Sequence, residues 1–192
     1  SLTGLKGLAT INGDLIIQEN NELVSLDGFE SLQSIGGKLV FDNLNITRLS
    51  GMEQLITIGG ELSITDNPSL ASIAEMENLS EIGGNLMIQN NHRLKNMNGM
   101  ENLKSISGGL GVIQNDSIRN LSGLESLNSI GDFIDIIGNT KLEDLTGIEN
   151  ISYVPGDINI GTWDCCWPAG NPSLVSLNGL NNLDSIGGSL YI

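Results

Sequence analysis

One spacing dominates this chain. An Ile or Val stands before a glycine-bearing turn at Ile11, Ile35, Ile58, Ile82, Ile106, Ile130, Val154 and Ile186. Successive steps are 24 residues, except for one of 23 and a last one of 32. The apolar positions between these marks recur with them. In Ile82-Gly83-Gly84-Asn85-Leu86-Met87-Ile88-Gln89-Asn90-Asn91-His92-Arg93-Leu94, and on through Met97, Met100 and Leu103, the unit reads L-x-x-I-G-G-x-L-x-I-x-x-N-x-x-L-x-x-L-x-G-L-E-x. A unit this short cannot close a core by itself, and stacking on its neighbours is what buries its apolar face. The expectation is one solenoid domain over residues 1–192, a right-handed β-helix of about eight 24-residue coils. Each coil holds a short strand (Leu86-Met87-Ile88), a bend at Asn91, a second extended edge and a short helical turn.

Two polar columns accompany the apolar ones. Asn20, Asn43, Asn67, Asn91, Asn115, Asn139 and Asn171 form the first, with one deletion near Asp42. An inward Asn at a bend can bond backbone groups of its own and adjacent coils. Each such bond contributes about 0.5–1.5 kcal/mol, and an unpaired buried amide costs more. The second column is Glu30, Glu53, Glu77, Glu101, Glu125 and Glu149. A strip of stacked carboxylates suggests a cation site. The residues three places earlier (Asp27, Ser50, Ala74, Asn98, Ser122 and Thr146) suggest instead a capping box, in which Glu reaches back to the cap N–H at the start of a helical turn. The paired glycines permit a tight or a left-handed turn. They belong to neither a phosphate loop nor a dinucleotide fingerprint.

The stretch Leu86-x-Ile88-x-x-Asn91-x-x-Leu94 resembles the leucine-rich-repeat consensus with one extra residue. The fuller unit at Leu32–Phe41, with copies at Leu55–Ile64, Leu79–Ile88 and Leu183–Ile192, resembles the receptor L domain. That likeness implies an extracellular or cell-surface location and a β-helical face that contacts protein or sugar. Receptor L domains usually have fewer coils and Cys-bearing caps, and this sequence departs from them in both.

In such a coil the outward strand positions make one continuous sheet face. They are Ile16, Val40, Ser63, Met87, Gly111, Asp135, Asn159 and Tyr191, flanked by Asp14, Lys38, Glu61, Asn85, Gly109, Phe133, Asp157 and Ser189. Apolar Ile16, Val40 and Met87 with polar flanks are the signature of an interface, or else are covered by neighbours. The eight extra residues of the long step give a loop at 161–170 that carries Trp163 and Trp167, the only tryptophans. Irregular loops on rigid scaffolds often bind ligands, and Trp is enriched in such contacts. The opposite reading has these rings folding back over exposed core. The candidate ligand-binding set is Trp163, Trp167, Phe133, Tyr191, Met87, Val40, Ile16, Asp135 and Asn159.

The remaining signals mostly exclude. A net charge of −15, from 8 Lys+Arg against 23 Asp+Glu, argues against nucleic acid and anionic membrane as partners. No run of about 18 apolar residues offers a membrane span. The chain opens and closes inside a repeat, which reads as a segment of a longer protein. Cys165 and Cys166 are adjacent, with Cα atoms about 3.8 Å apart where a relaxed disulfide prefers about 4.4–6.8 Å. Free thiols, an intermolecular bridge and a strained vicinal bond all stay open. Sequons at Asn45, Asn78, Asn115, Asn120 and Asn150 are a faint signal in a sequence so rich in Asn and Ser. No metal spacing or nucleophile motif is present, and the only His is His92. The basic residues fall at differing coil positions and form no column with paired acids. Asp132 and Asp135 read as turn residues rather than a catalytic pair. No cofactor is expected. The reading is a non-enzymatic binding module. The alternative is a structural spacer or self-associating segment, and the oligomeric state is left open.

Overall fold

In a computed structural model, which describes residues 2–161 and 170–192, the chain is a parallel β-solenoid. Its main sheet has eight strands: Leu15–Gln18, Leu39–Asp42, Leu62–Thr65, Leu86–Gln89, Leu110–Ile113, Ile134–Ile137, Ile158–Asn159 and Leu190–Tyr191. All neighbours in it are parallel and matched residue for residue, so that Leu15, Leu39, Leu62, Leu86, Leu110, Ile134, Ile158 and Leu190 form one row. Short strands from Thr10–Ile11 to Ser129–Ile130 form a second sheet of six, and Tyr153–Val154 pairs with Ser185–Ile186 in a third. Among the described residues no helix is long and apolar enough to cross a membrane.

The aliphatic columns explain the stacking. Leu39, Leu62, Leu86, Leu110, Ile134 and Ile158 are all wholly buried. So are Leu55, Leu79, Leu103 and Leu127 on the turn leading into the short strands. Every winding therefore serves as roof for one neighbour and floor for the other, which is how a repeat with no core of its own becomes stable.

The asparagine column runs as an axial ladder with a different start from the one expected. Asn67, Asn91, Asn115 and Asn139 are wholly buried. The Oδ1 of each Asn accepts the backbone N–H of the preceding member. The links are Asn67 to Asn91 (3.2 Å), Asn91 to Asn115 (3.0 Å), Asn115 to Asn139 (2.9 Å) and Asn139 to Asn171 (2.9 Å). The Nδ2 of each donates back to a strand carbonyl, as Asn115 does to Ile88 O at 2.8 Å. Asn43 is not a member. The strand Leu39–Asp42 stays in register with Leu62–Thr65, which places Leu44 opposite Asn67 and Asn43 one step too early. Leu44 is wholly buried, and its N–H donates to Asn67 Oδ1 at 3.0 Å. The missing residue thus falls after Leu44, not near Asp42. Asn20 occupies the ladder position at the exposed end, where its Nδ2 donates to Gln18 O at 2.7 Å.

The expected helical turn in each coil is absent. Among the described residues only Thr3–Leu5 and Ala74–Met76 are helical, each a single 3-10 turn. Elsewhere a glycine with positive φ stands where the helix would start, as at Gly51 (102°), Gly99 (108°), Gly123 (108°) and Gly147 (118°). Those angles lie outside the helical region. A Cβ on Gly123 would also sit 2.1 Å from Met97 O of the neighbouring winding. The glutamates do not form capping boxes. Four of the six instead accept the N–H of the glycine two residues before them: Glu53 from Gly51 (2.9 Å), Glu101 from Gly99 (2.8 Å), Glu125 from Gly123 (2.9 Å) and Glu149 from Gly147 (3.0 Å). The winding of Glu77 is informative. Glu75 takes the glycine's place, the backbone switches to the 3-10 turn, and the Glu75 carboxylate accepts the Leu49 N–H at 3.3 Å and pairs with Arg48 at 2.6 Å.

The glycines before the long strands also differ from expectation. Gly36, Gly59 and Gly83 lack the left-handed φ. Their smallness serves close stacking, because a Cβ on Gly59 would lie 2.3 Å from Gly36 O and one on Gly83 2.2 Å from Gly59 O.

Replacing Asn115 with Leu keeps the volume and removes the bonds. The Asn91 N–H loses its acceptor, and Ile88 O and Ile113 O lose a donor. At about 1–3 kcal/mol for each buried group left unpaired, Asn115→Leu is expected to cost about 3 kcal/mol or more. Urea denaturation followed by circular dichroism measures it, and an unchanged midpoint would show that the ladder contributes little.

Candidate functional site

The outward row of the main sheet is built as the sequence places it. Ile16, Val40, Ser63, Met87, Gly111, Asp135, Asn159 and Tyr191 are consecutive register partners. Ile16 and Tyr191 are 51% and 52% exposed, and Val40, Met87, Phe133 and Asn159 are half-buried. The stripe is not uniform. Ser63 separates Val40 from Met87, and its hydroxyl is engaged with Thr65 at 2.9 Å. Beyond it two glycines leave room that neighbours fill. A Cβ on Gly111 would lie 2.5 Å from the Met87 Cε, and one on Gly109 would lie 2.5 Å from the Phe133 ring. Met87 and Phe133 thus lean over the same bare strip of backbone from opposite sides.

Asp135 departs from the expectation of an available ligand group. It is 4% exposed, and its Oδ1 accepts from the Asn159 amide at 2.8 Å. Burial pushes its carboxyl above the ordinary range, the Asn159 bond opposes that, and Asp157 and Asp132 reinforce it. Phe133, Asp135 and Asn159 do come together, around a recess of about 360 Å³ that Asp132, Gly156 and Asp157 complete. Tyr191 lies on the next strand, paired with Asn159. Four candidates therefore gather at one end of the face, Met87 reaches toward them across Gly111, and Val40 and Ile16 lie beyond Ser63.

Trp163 and Trp167, with Cys165 and Cys166, lie outside the described residues. The ends of their insertion are described. Ile160 N–H bonds Tyr191 O at 2.8 Å, and a Cβ on Gly170 would lie 3.3 Å from the Gly161 Cα. The loop leaves and returns at one point, between the sheet edge and the asparagine ladder.

A second feature escaped the sequence reading. Just before the ladder position of the first six windings the backbone turns left-handed, at Glu19, Asn43, Asp66, Asn90 and Gln114 (φ 52–56°) and at Gly138 (70°). The corners from Asn43 to Gly138 border a groove of about 620 Å³ that Pro68, His92, Asp116, Thr140 and Pro172 complete. Its polar groups are largely paired along the axis: Asn90 Nδ2 to Asp66 Oδ1 at 2.7 Å, His92 Nδ1 with Asp116 Oδ2 at 2.8 Å, and Thr140 Oγ1 to Asp116 Oδ1 at 3.0 Å. The signal was present in the residue types, since Asn, Asp and Gly tolerate the left-handed region best. Among the described residues no group of His, Cys, Asp or Glu converges to hold a metal ion. Of the sequons, Asn115 is wholly buried, and the Asn78 and Asn150 amides donate to Glu53 O and Glu125 O of the preceding winding.

Compared with known proteins, the chain matches no protein-family model, no curated protein and no solved structure.

Asp135 gives a signed pH prediction. Its folded pKa is raised above the ordinary 3.8, so the folded state holds the proton more tightly than the unfolded one. The stability tied to that proton is present below pH 3.8 and is lost as pH rises through the folded value. Asp135→Asn removes the titration. The stability of the variant relative to the parent should therefore climb between about pH 3.5 and pH 7. Urea midpoints at the two pH values test this, and a difference that does not change with pH would contradict it.

Proposed function

We propose that the chain is a non-enzymatic binding module of the extracellular space or cell surface. On this reading it is a right-handed coil of about eight windings, related to receptor L domains and leucine-rich repeats, and it takes a protein or glycan ligand on its main sheet. The observation that carries the proposal is the in-register row from Ile16 to Tyr191, where large apolar side chains stand exposed or half-exposed on a sheet face that, among the described residues, no helix covers. Parallel sheets normally have both faces covered, so an open apolar stripe on one is a surface suited to a partner. Phe133 and Tyr191 supply aromatic area with little conformational freedom to lose.

Arrays of glycans and of extracellular proteins, probed with the whole chain, supply the ligand. Ile16→Asp and Phe133→Ala should then weaken its binding by about tenfold or more, the effect of removing one large apolar anchor. Trp163→Ala tests the loop separately. Binding that survives both sheet-face substitutions unchanged, in variants that melt like the parent, would overturn the assignment of the site.

A second reading, a spacer or self-associating segment, draws on a different observation. At the winding that bears the strand Leu190–Tyr191, Val175, Leu190 and Ile192 are 87%, 50% and 72% exposed. Light scattering across a concentration series separates the two readings. A constant monomer mass argues for the binding module, and a mass that grows with concentration argues for end-to-end association.

A further inference from the structure

The chain carries only 8 basic residues against 23 acidic ones, yet three of the eight meet in one place. Lys95, Arg119 and Lys141 line a recess of about 500 Å³ on the edge that follows the asparagine ladder, away from the main sheet. Their sequence positions conceal this. Lys95 and Arg119 occupy equivalent places one repeat apart, whereas Lys141 stands two residues earlier in its own repeat. The rest of the lining is asparagine and serine, with no carboxylate and no apolar side chain.

Two details prepare the recess for negative charge. Arg119 pairs with Glu143 on its outer side, but among the described residues neither Lys95 nor Lys141 has a carboxylate within ion-pair distance. Asn96 and Asn120 use their Oδ1 atoms inward, each accepting the N–H two residues on, from Asn98 and Ser122, both at 3.2 Å. That bond fixes each amide with its Nδ2 as the end left to donate. Cations stacked one winding apart repel, and an anion between them relieves the repulsion. The net charge of −15 opposes any anion at long range. At physiological salt, however, charges more than about 8 Å away are largely screened, so the local cluster decides.

We propose that this recess binds an anionic oligosaccharide, with Lys95, Arg119 and Lys141 holding its carboxylate or sulfate groups and the Asn96 and Asn120 amides donating to its hydroxyls. The lining selects a sugar over an acidic peptide. Besides its three cations the recess is lined by Asn96, Asn98, Asn120, Ser117 and Ser122, which match the hydroxyls of a sugar, and no apolar side chain is present to seat the side chains of a peptide. The site is separate from the sheet face, so each proposal can fail without the other.

Calorimetric titration of the whole chain in about 50 mM salt, where exposed charges are least screened, uses four probes. They are a heparin-derived hexasaccharide, hexagalacturonate, neutral chitohexaose and hexaglutamate. The first two distinguish sulfate from carboxylate as the preferred group. One or both should bind, and chitohexaose should not. The double variant Lys95→Ala/Lys141→Ala should weaken binding by about tenfold, and Glu143→Gln should strengthen it by about threefold, as expected for charge-assisted contacts in partial exposure. Ile16→Asp should leave it unchanged. The proposal is overturned if neither anionic sugar binds, if the double variant binds like the parent, or if hexaglutamate binds as tightly as the sugars.

Discussion

Each winding turns its corner inside the protein, and the backbone groups at that corner have no water to bond. The axial ladder from Asn67 to Asn171 answers this. Every member supplies one acceptor to the neighbour behind it and donors to the strand carbonyls alongside. Asparagine suits the place because a single short side chain carries both kinds of group. A leucine fits only where the ladder begins, at Leu44, whose own N–H is still met by Asn67. The ladder also fixes register, since a slip of one residue would leave every amide and every N–H at the corner unmatched. Parallel register in the main sheet and continuity of the aliphatic columns both depend on it.

A second constraint is the closeness of the windings. Where backbone lies on backbone, a side chain has nowhere to go, and glycine recurs at fixed places for that reason. Glu75 shows what happens otherwise. With a side chain in the glycine's place the local backbone coils into a 3-10 turn, and the displaced hydrogen bond to Leu49 is taken over by the new carboxylate with Arg48 as counter-ion. The repeat tolerates the substitution because the replacement brings its own acceptor.

Much of this was legible in the sequence, because columns of identical residues at fixed spacing can only mean stacking. The aliphatic interior, the inward asparagines and the order of the outward row all follow from that spacing. What stayed hidden were the places where two residue types satisfy the same pattern. Asn43 and Leu44 compete for one ladder position, and the strand register together with the hydrogen bond from Leu44 decides between them. The glutamates match a capping box, but a glycine with positive φ between cap and glutamate forbids the helix and redirects the carboxylate to the nearer N–H. Asp135 looks like a surface acid until the Asn159 amide and the next strand close over it. The cluster of Lys95, Arg119 and Lys141 crosses two sequence columns, which a reading by column cannot join.

The meeting of Gly161 and Gly170 has a further consequence. Because the two glycines nearly touch, the solenoid counts the whole excursion between them as no more than an ordinary corner. Ile160 and Asn171 keep their places in the sheet and the ladder. The length and content of the segment are thereby uncoupled from the pitch of the coil. A scaffold with such a junction can exchange one appended loop for another of quite different size at little cost in stability, since the closure penalty rises only slowly with loop length.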